Sequence, residues 1–130
     1  MGLAELVLDP FPSDEALRPL WLSAWGDEGP ASFRPVLERS LTHVGAFAGE
    51  RLVGFVNVAW DGGQHAFVLD TTVHRGWQRR GIATRLVSKA ADAARSRGAT
   101  WLHVDYEPHL DGFYRGCGFV PTLAGLIRLA

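Results

Sequence analysis

The stretch Gln78-Arg79-Arg80-Gly81-Ile82-Ala83 joins a predicted strand to the clearest predicted helix of the chain. The strand runs from His65 to Val73, and the helix runs from Gly81 to Arg97 with apolar residues at helical spacing. The first amides of a helix have no partners inside it, and the helix dipole places positive potential there. A glycine at this point lets a ligand approach the backbone. The junction therefore predicts a site for an anion such as a pyrophosphate, unless it is an ordinary helix start that holds a glycine.

The charge around this junction is uneven. The chain carries 13 basic and 14 acidic residues, but residues 74–97 hold seven of the basic residues and only one acid, Asp92. This leaves six basic and thirteen acidic residues elsewhere, so 74–97 has a net charge of +6 and the rest of the chain −7. The asymmetry favours an anionic ligand at the basic stretch, although a solvated helix face would carry the same residue types. The balanced total argues against a nucleic-acid partner.

Length and composition predict one globular domain over residues 1–130. Apolar residues make up 47% of the 130 residues and charged residues 21%, which are ordinary globular values. No apolar run approaches the ~18 residues that a membrane span needs, and no signal peptide is recognisable, so we expect no membrane association. Cys117 is the single cysteine and cannot form an internal disulfide, which predicts a reducing, cytoplasmic location.

The hydrophobic pattern predicts the order β-α-α-β-β-β-α-β-α-β-β, a mixed α/β or α+β sheet with helices on its faces. The apolar run at 66–69 is typical of a central strand covered on both faces. The strands are predicted at residues 6–8, 44–47, 51–59, 65–73, 101–105, 119–120 and 126–127, and the helices begin near Ser13, Ser32, Gly81 and Pro108.

Two motifs together resemble the GNAT superfamily of acyl-CoA-dependent N-acyltransferases. The stretch from Gln78 to Ala83 is similar to the family's Gln/Arg-x-x-Gly-x-Gly/Ala loop. The stretch from Phe113 to Phe119 resembles its aromatic-Tyr-x-x-x-Gly-Phe segment, and the distance between the motifs fits a helix, a strand and a helix start. The resemblance implies a GNAT-like, mostly antiparallel sheet of six to seven strands with about four helices and two splayed central strands.

The resemblance also implies a cofactor and a reaction. The expected activity is the transfer of an acetyl group from acetyl-CoA to a primary amine, preferably a small molecule, by direct attack in a ternary complex. The loop amides would bind the pyrophosphate, the backbone of Val73 would hold the pantetheine arm, and Tyr114 would protonate the leaving thiolate. A non-catalytic acyl-CoA-binding or sensor module is the alternative. The implied cofactor-binding residues are Thr71, Thr72, Val73, Gln78, Arg79, Arg80, Gly81, Ile82, Ala83 and Thr84.

The roles of the ionisable residues have alternatives. Tyr114 is either the general acid or a half-buried packing residue with a bonded hydroxyl. Asp70 is the only ionisable residue inside the predicted strand 66–73, so it is either paired structurally or a general base. Strand alternation puts Asp70 on the face opposite Phe67, Leu69 and Val73. The other candidates for the base are His43, His65, His103, Asp105, Tyr106 and a chain of water molecules.

The sequence gives weaker indications for an acceptor wall, a metal site, a reactive cysteine and a dimer. Trp25 stands near the end of the first predicted helix, where it is either a core residue or part of the wall of the acceptor site. His103, Asp105 and His109 lack a second cluster that would complete a metal site, so we expect no metal. Cys117 lacks an evident base and is expected to pack as a small residue. Exposed strand edges near the carboxyl end suggest a homodimer.

Overall fold

The computed structural model describes residues 3–130 and contains one sheet with helices on both faces. No helix within this range is both long and apolar enough to cross a bilayer. The strands are β1 (Glu5–Leu8), β2 (Thr42–Ala48), β3 (Arg51–Trp60), β4 (His65–Val73) and β5 (Trp101–Val104), and the helices are α1 (Asp14–Trp25), α2 (Arg34–Arg39), α3 (Ile82–Ser96) and α4 (Asp111–Gly116). Short 3₁₀ turns at Arg75–Trp77 and Pro108–Leu110 precede α3 and α4.

The five strands follow each other in chain order across the sheet. β1 to β4 pair antiparallel, and only β4 and β5 pair parallel. The mixed sheet and the four helices confirm the predicted class. The predicted number of six to seven strands is wrong, because residues 119–130 have no strand structure and β5 is an edge strand. The apolar pairs Phe119-Val120 and Leu126-Ile127 do not form ladder hydrogen bonds with a neighbouring strand, which strand structure requires.

Local sequence signals account for the helix ends. Ser13 caps α1, since its hydroxyl accepts a hydrogen bond of 3.2 Å from the amide of Ala16, and Gly26 ends this helix in the left-handed conformation. Gly81 begins α3 with φ +78°, which a glycine adopts without strain.

The core has two parts, one on each side of the sheet. The apolar stripe of α3, including Leu86 and Ala90, packs on one face of β2, β3 and β4. The opposite face of the sheet holds Leu17 and Leu20 of α1 against Phe55 of β3. The strand covered on both faces is therefore β3.

The prediction that the strand at 66–69 is covered on both faces is wrong. Phe67 and Leu69 of β4 are 39% and 42% exposed, while Ala66 and Val68 are buried under α3. The apolar side chains of α1 and α2 pack on Phe47 of β2 and on Leu52 and Phe55 of β3. α1 also contacts β4, but Phe67 and Leu69 remain open beside it.

Two irregularities shape the middle of the sheet. Asp70 and Thr71 together face Val56, which makes a β-bulge, and Asp70 adopts a left-handed φ of +57°. The parallel pairing of β4 with β5 covers only residues 65–68 and 101–104. Beyond Val68 the pairing ends because β5 itself ends at Val104. β5 lies at the edge of the sheet, and the splay of two central strands implied by the family resemblance stays a prediction.

Candidate active site

A cavity of about 560 Å³ lies between the end of β4, the start of α3 and α4. Its lining brings together most of the loop and strand residues implied as cofactor-binding. The lining residues from that set are Thr71, Val73, Gln78, Arg79, Gly81, Ile82, Ala83 and Thr84.

The other two implied cofactor-binding residues do not line the cavity. Thr72 is buried, and its hydroxyl accepts a hydrogen bond of 3.1 Å from the indole N–H of Trp25. The guanidinium of Arg80 lies 4.7 Å from the centre of the Trp77 ring, a cation–π contact. Arg79 is therefore the basic side chain of the loop that lines the cavity, next to the start of α3.

The start of α3 has free backbone donors that point to an anion. The first backbone bond from α3 back to the loop joins the amide of Arg85 to the carbonyl of Gly81. The amides of Ile82, Ala83 and Thr84 precede it, so they have no intrahelical acceptor, and no side chain caps this end of the helix. A Cβ added at Gly81 would meet nothing within 4 Å. These donors, the helix dipole and the open space at Gly81 suit a phosphate or pyrophosphate.

The end of β4 is held by the side chain of Gln78, which belongs to the loop before α3. The amide nitrogen of Gln78 donates a hydrogen bond of 3.2 Å to the carbonyl oxygen of Val73. The loop and the end of β4 therefore form one wall, from the bulge at Thr71 to the first turn of α3.

Tyr114 forms the opposite wall from α4. Its side chain is 6% exposed, and its hydroxyl donates a long hydrogen bond of 3.4 Å to the hydroxyl of Thr71. Tyr106 stacks on the Tyr114 ring at 4.9 Å, while Phe113 and Phe119 contact it edge-on. These contacts hold the phenol at the β4 bulge.

Asp70 lies at the same bulge. It is less buried than expected for an acidic residue inside a central strand. Its carboxylate has no hydrogen bond or ion pair with residues 3–130, so the structural pairing considered for it is not found there. The residue is exposed, yet the surrounding protein displaces enough water to raise the pKa of the Asp70 carboxyl by desolvation. The left-handed φ of Asp70 also interrupts the regular alternation of side chains along β4, and the prediction of which face Asp70 occupies was based on that alternation.

The alternative bases have other contacts. His43 is buried and its Nε2 accepts a hydrogen bond of 2.9 Å from the amide of Phe11, while desolvation lowers the pKa of its imidazole. The rings of His65 and His103 share a hydrogen bond of 2.8 Å. Tyr106 donates to Asp111, which raises the pKa of the Tyr106 phenol. Neither these residues nor Asp105 lines the cavity.

The structure also places Trp25, Cys117 and the residues considered for a metal site. Trp25 is 53% exposed and stands against β4 through its bond to Thr72.

Burial raises the pKa of the Cys117 thiol, which disfavours the reactive thiolate. Within residues 3–130, no three His, Cys, Asp or Glu side chains are placed to share a metal ion.

Four lining residues were missed by the sequence reasoning. Their position in or next to the two motifs could have indicated them. Periodicity alone, however, does not distinguish such aromatic and apolar residues from core residues. They are Trp77 before the loop and His109, Leu110 and Phe113 before or within α4.

The family of the chain follows from its sequence. Residues 3–119 match the model of the acetyltransferase (GNAT) family, so the chain belongs to that family. A segment of 58 residues is 36% identical to glucosamine 6-phosphate N-acetyltransferase 1 of Oryza sativa subsp. japonica. This segment spans 45% of the chain but only 35% of the rice protein.

Two bacterial structures share the fold over nearly their whole length. An acetyltransferase of the GNAT family from Streptococcus pneumoniae has a TM-score of 0.82 at 24% identity, with 98% of both chains covered. A protein of unknown function from methicillin-resistant Staphylococcus aureus has a TM-score of 0.83 at 19% identity, with 98% of this chain and 99% of that one covered.

Proposed function

We propose that this protein transfers an acetyl group from acetyl-CoA to the primary amine of a small molecule. The observation that carries the proposal is this cavity, which the end of β4, the free amides at the start of α3 and the buried Tyr114 side chain line together. The amides at the start of α3 would bind the pyrophosphate, as the free donors and the space at Gly81 allow. The pantetheine arm would pass along Val73 to the bulge at Thr71.

Bound acetyl-CoA supplies an acetyl thioester that an amine can attack directly. In the proposed mechanism Asp70 takes a proton from the attacking ammonium, and its raised pKa makes it a better base than an ordinary carboxylate. The amine nitrogen forms a bond to the acetyl carbon and the carbon–sulfur bond breaks. Tyr114 donates its phenolic proton to the departing sulfur, and the nitrogen releases its second proton, which returns through solvent to the Tyr114 phenolate. The products are coenzyme A with a free thiol and an uncharged amide group.

Two features favour a small primary amine as the acceptor. Outside residues 74–97 the chain has a net charge of −7, which attracts cations. The rice relative is named for an amino sugar phosphate, which is a small primary amine. Trp25, which is exposed and held at β4, would form one wall of the acceptor site.

The test combines binding with turnover. Saturating acetyl-CoA should raise the Tm by roughly 5–15 °C, because a ligand at 100 times its Kd stabilises the folded state by about 2.7 kcal/mol. Free thiol release is then measured with acetyl-CoA and butylamine, spermidine or glucosamine 6-phosphate. Binding with thiol release supports the acetyltransferase. Binding without release from any amine points to the acyl-CoA-binding module, and no Tm shift contradicts both.

The homodimer and the cytoplasmic location stay predictions. β5 is an open edge, and the segment 119–130 exposes the aliphatic residues Val120, Leu123, Leu126, Ile127 and Leu129. Such surfaces favour association with a second copy. Sedimentation velocity should give the mass of a dimer, and a species of 14.2 kDa at micromolar concentration contradicts this prediction.

A further inference from the structure

One face of β4 presents apolar side chains to solvent. Phe67 and Leu69 are 39% and 42% exposed, and we call these two residues the open strip. Neither residue lines the cavity assigned to the cofactor. Neighbouring apolar side chains left open on a soluble protein mark sites for ligands or partners, so the open strip calls for an occupant.

The strand register places the open strip on the same face of the sheet as Trp25. Leu69 pairs with Asn57 of β3, and Thr72 pairs with Phe55. Asn57 and Phe55 are two positions apart in one strand, so their side chains share a face. That face is the one covered by α1, because Phe55 packs against α1 and Thr72 accepts the indole N–H of Trp25.

The open strip begins at the proposed point of attack. Leu69 precedes Asp70, which forms the bulge of β4 together with Thr71. Phe67 is three residues before Asp70, a distance of about 10 Å at the rise of an extended strand. The Phe67 ring stacks on His103 of β5, with ring centres 4.6 Å apart and planes 20° apart. The strip is therefore a positioned apolar surface that runs from Asp70 along β4.

Asp70 and the open strip together are complementary to an amine with an apolar substituent. The Asp70 carboxylate has no ion pair with residues 3–130 and attracts an ammonium group. An apolar substituent that lies on Phe67 and Leu69 removes apolar surface from water on both sides of the contact, which favours binding. A hydroxyl or phosphate group in the same place would lose water without gaining a hydrogen bond from these side chains.

We propose that Leu69 and Phe67 bind the apolar substituent of the acceptor, so that the preferred substrates are primary amines with an alkyl chain or an aromatic ring. This inference deepens the proposed acetyltransferase function and rests on it. The ammonium group lies at Asp70, and the substituent follows β4 away from the bulge. Leu69 and Phe67 act on the acceptor and not on acetyl-CoA, since they lie outside the cofactor cavity.

The first test is a series of amines on the unmodified protein. Thiol release is measured at saturating acetyl-CoA with ethylamine, butylamine, hexylamine, phenethylamine and glucosamine 6-phosphate. We expect kcat/KM to rise about 2- to 4-fold with each added CH₂, because burial of one CH₂ is worth up to about fourfold in binding. Hexylamine and phenethylamine should exceed glucosamine 6-phosphate. Equal kcat/KM values along the alkyl series overturn this inference but not the proposed function, whereas no thiol release with any amine contradicts both.

The second test uses Leu69→Thr and Phe67→Thr, which keep residues that strands accommodate and remove apolar surface. Each variant should lower kcat/KM for hexylamine about 3- to 10-fold and change the value for ethylamine less than twofold. The Kd for acetyl-CoA should stay unchanged. Equal losses for the two amines overturn the proposal, because they indicate a general effect on the site.

Trp101→Thr is the matched control. Trp101 is 61% exposed and pairs with His65, five residues before Asp70 and about 16 Å from it along the strand. This variant should keep the preference for hexylamine over ethylamine, and a loss of preference equal to that of Phe67→Thr contradicts a specific strip. Sedimentation velocity tests a second copy as the occupant. If Phe67→Thr dissociates a dimer and keeps the preference for long amines, the proposal is overturned.

Discussion

The hydroxyl of Tyr114 donates a hydrogen bond of 3.4 Å to the hydroxyl of Thr71, across 43 residues of sequence. The bond joins α4 to the bulge of β4, beyond the residues of β4 that pair with β5. It brings the proposed general acid to the strand along which the pantetheine arm would lie. The same bond also makes Tyr114 a structural link, so catalytic and packing roles must be measured separately.

Replacing Tyr114 with phenylalanine keeps the stacked ring and removes only the hydroxyl. General acids contribute about 10²–10⁴-fold, and a thiolate leaves more readily than an alkoxide, so we expect kcat to fall by about 10²-fold. The Kd for acetyl-CoA should change little because the binding donors are backbone amides at α3. Steady-state kinetics and acetyl-CoA titration provide the two values.

Tyr106→Phe is the matched control for this variant. The Tyr106 ring stacks on Tyr114 at 4.9 Å, but its hydroxyl bonds to Asp111. We expect kcat to stay within a few-fold in the control. Equal losses of kcat in the two variants, or a loss of Tm in Tyr114→Phe that parallels its loss of rate, would show that Tyr114 acts by packing.

Gly81→Val tests the phosphate loop. The new side chain meets open space in the free protein, but the proposed pyrophosphate needs that space. The positive φ of +78° adds a strain of roughly 1–2 kcal/mol for any residue with a Cβ. We expect the Kd for acetyl-CoA to rise at least about tenfold, as loss of a close backbone contact to phosphate implies.

Gly98→Val separates strain from ligand exclusion. Gly98 follows α3 at its other end, has a φ of +105°, and also leaves open space around an added Cβ. This control should lose stability like Gly81→Val but keep its affinity for acetyl-CoA. Similar affinities of the two variants would place the pyrophosphate elsewhere.

Asp70→Asn tests the proposed base while retaining a residue that tolerates a left-handed φ. Because desolvation raises the pKa of the Asp70 carboxyl above its usual 3.8, the rising acidic limb of kcat/KM should lie above pH 3.8. The variant should lose this limb and at least about 10²-fold in kcat. An unchanged pH–rate profile would assign the base to another group.

The raised pKa of Asp70 also has a consequence for stability. The folded protein retains a proton that the unfolded chain releases near pH 3.8, so the stabilisation from this group is lost as the pH rises through the folded pKa. Asp70→Asn removes that loss and should be at least as stable as the unmodified protein at pH 7. Urea unfolding at pH 4 and pH 7 measures the difference.

Trp25→Phe tests the acceptor wall. The change keeps an aromatic ring and removes the N–H that bonds to Thr72 at 3.1 Å. The Thr72 bond fixes the indole against β4, and its loss of about 0.5–1.5 kcal/mol limits the expected rise in the amine KM to about 3- to 10-fold, with the Kd for acetyl-CoA unchanged. Trp60→Phe is the control, since the Trp60 indole donates to the carbonyl of Gly63 in the β3–β4 turn. A KM that rises equally in both variants contradicts a specific role for Trp25.

Most elements were predictable because their signals are local. The strand at 65–73 has the predicted bounds, and α3 differs from the prediction by one residue at each end. Helix periodicity, the Ser13 cap and the glycine at 81 depend on residues within four positions of each other. The strands predicted at 119–120 and 126–127 failed because a strand needs a paired neighbour, which a short apolar run does not guarantee.

The sequence by itself determined the mixed α/β class, the free amide end of α3 and the two motifs that place Tyr114 after the loop. These features follow from residue order and nearby backbone bonding. Only the tertiary structure decided that Asp70 lies in a bulge and that Trp25 reaches Thr72. Strand register and contacts between residues 47 positions apart control these relationships, and no local pattern encodes them.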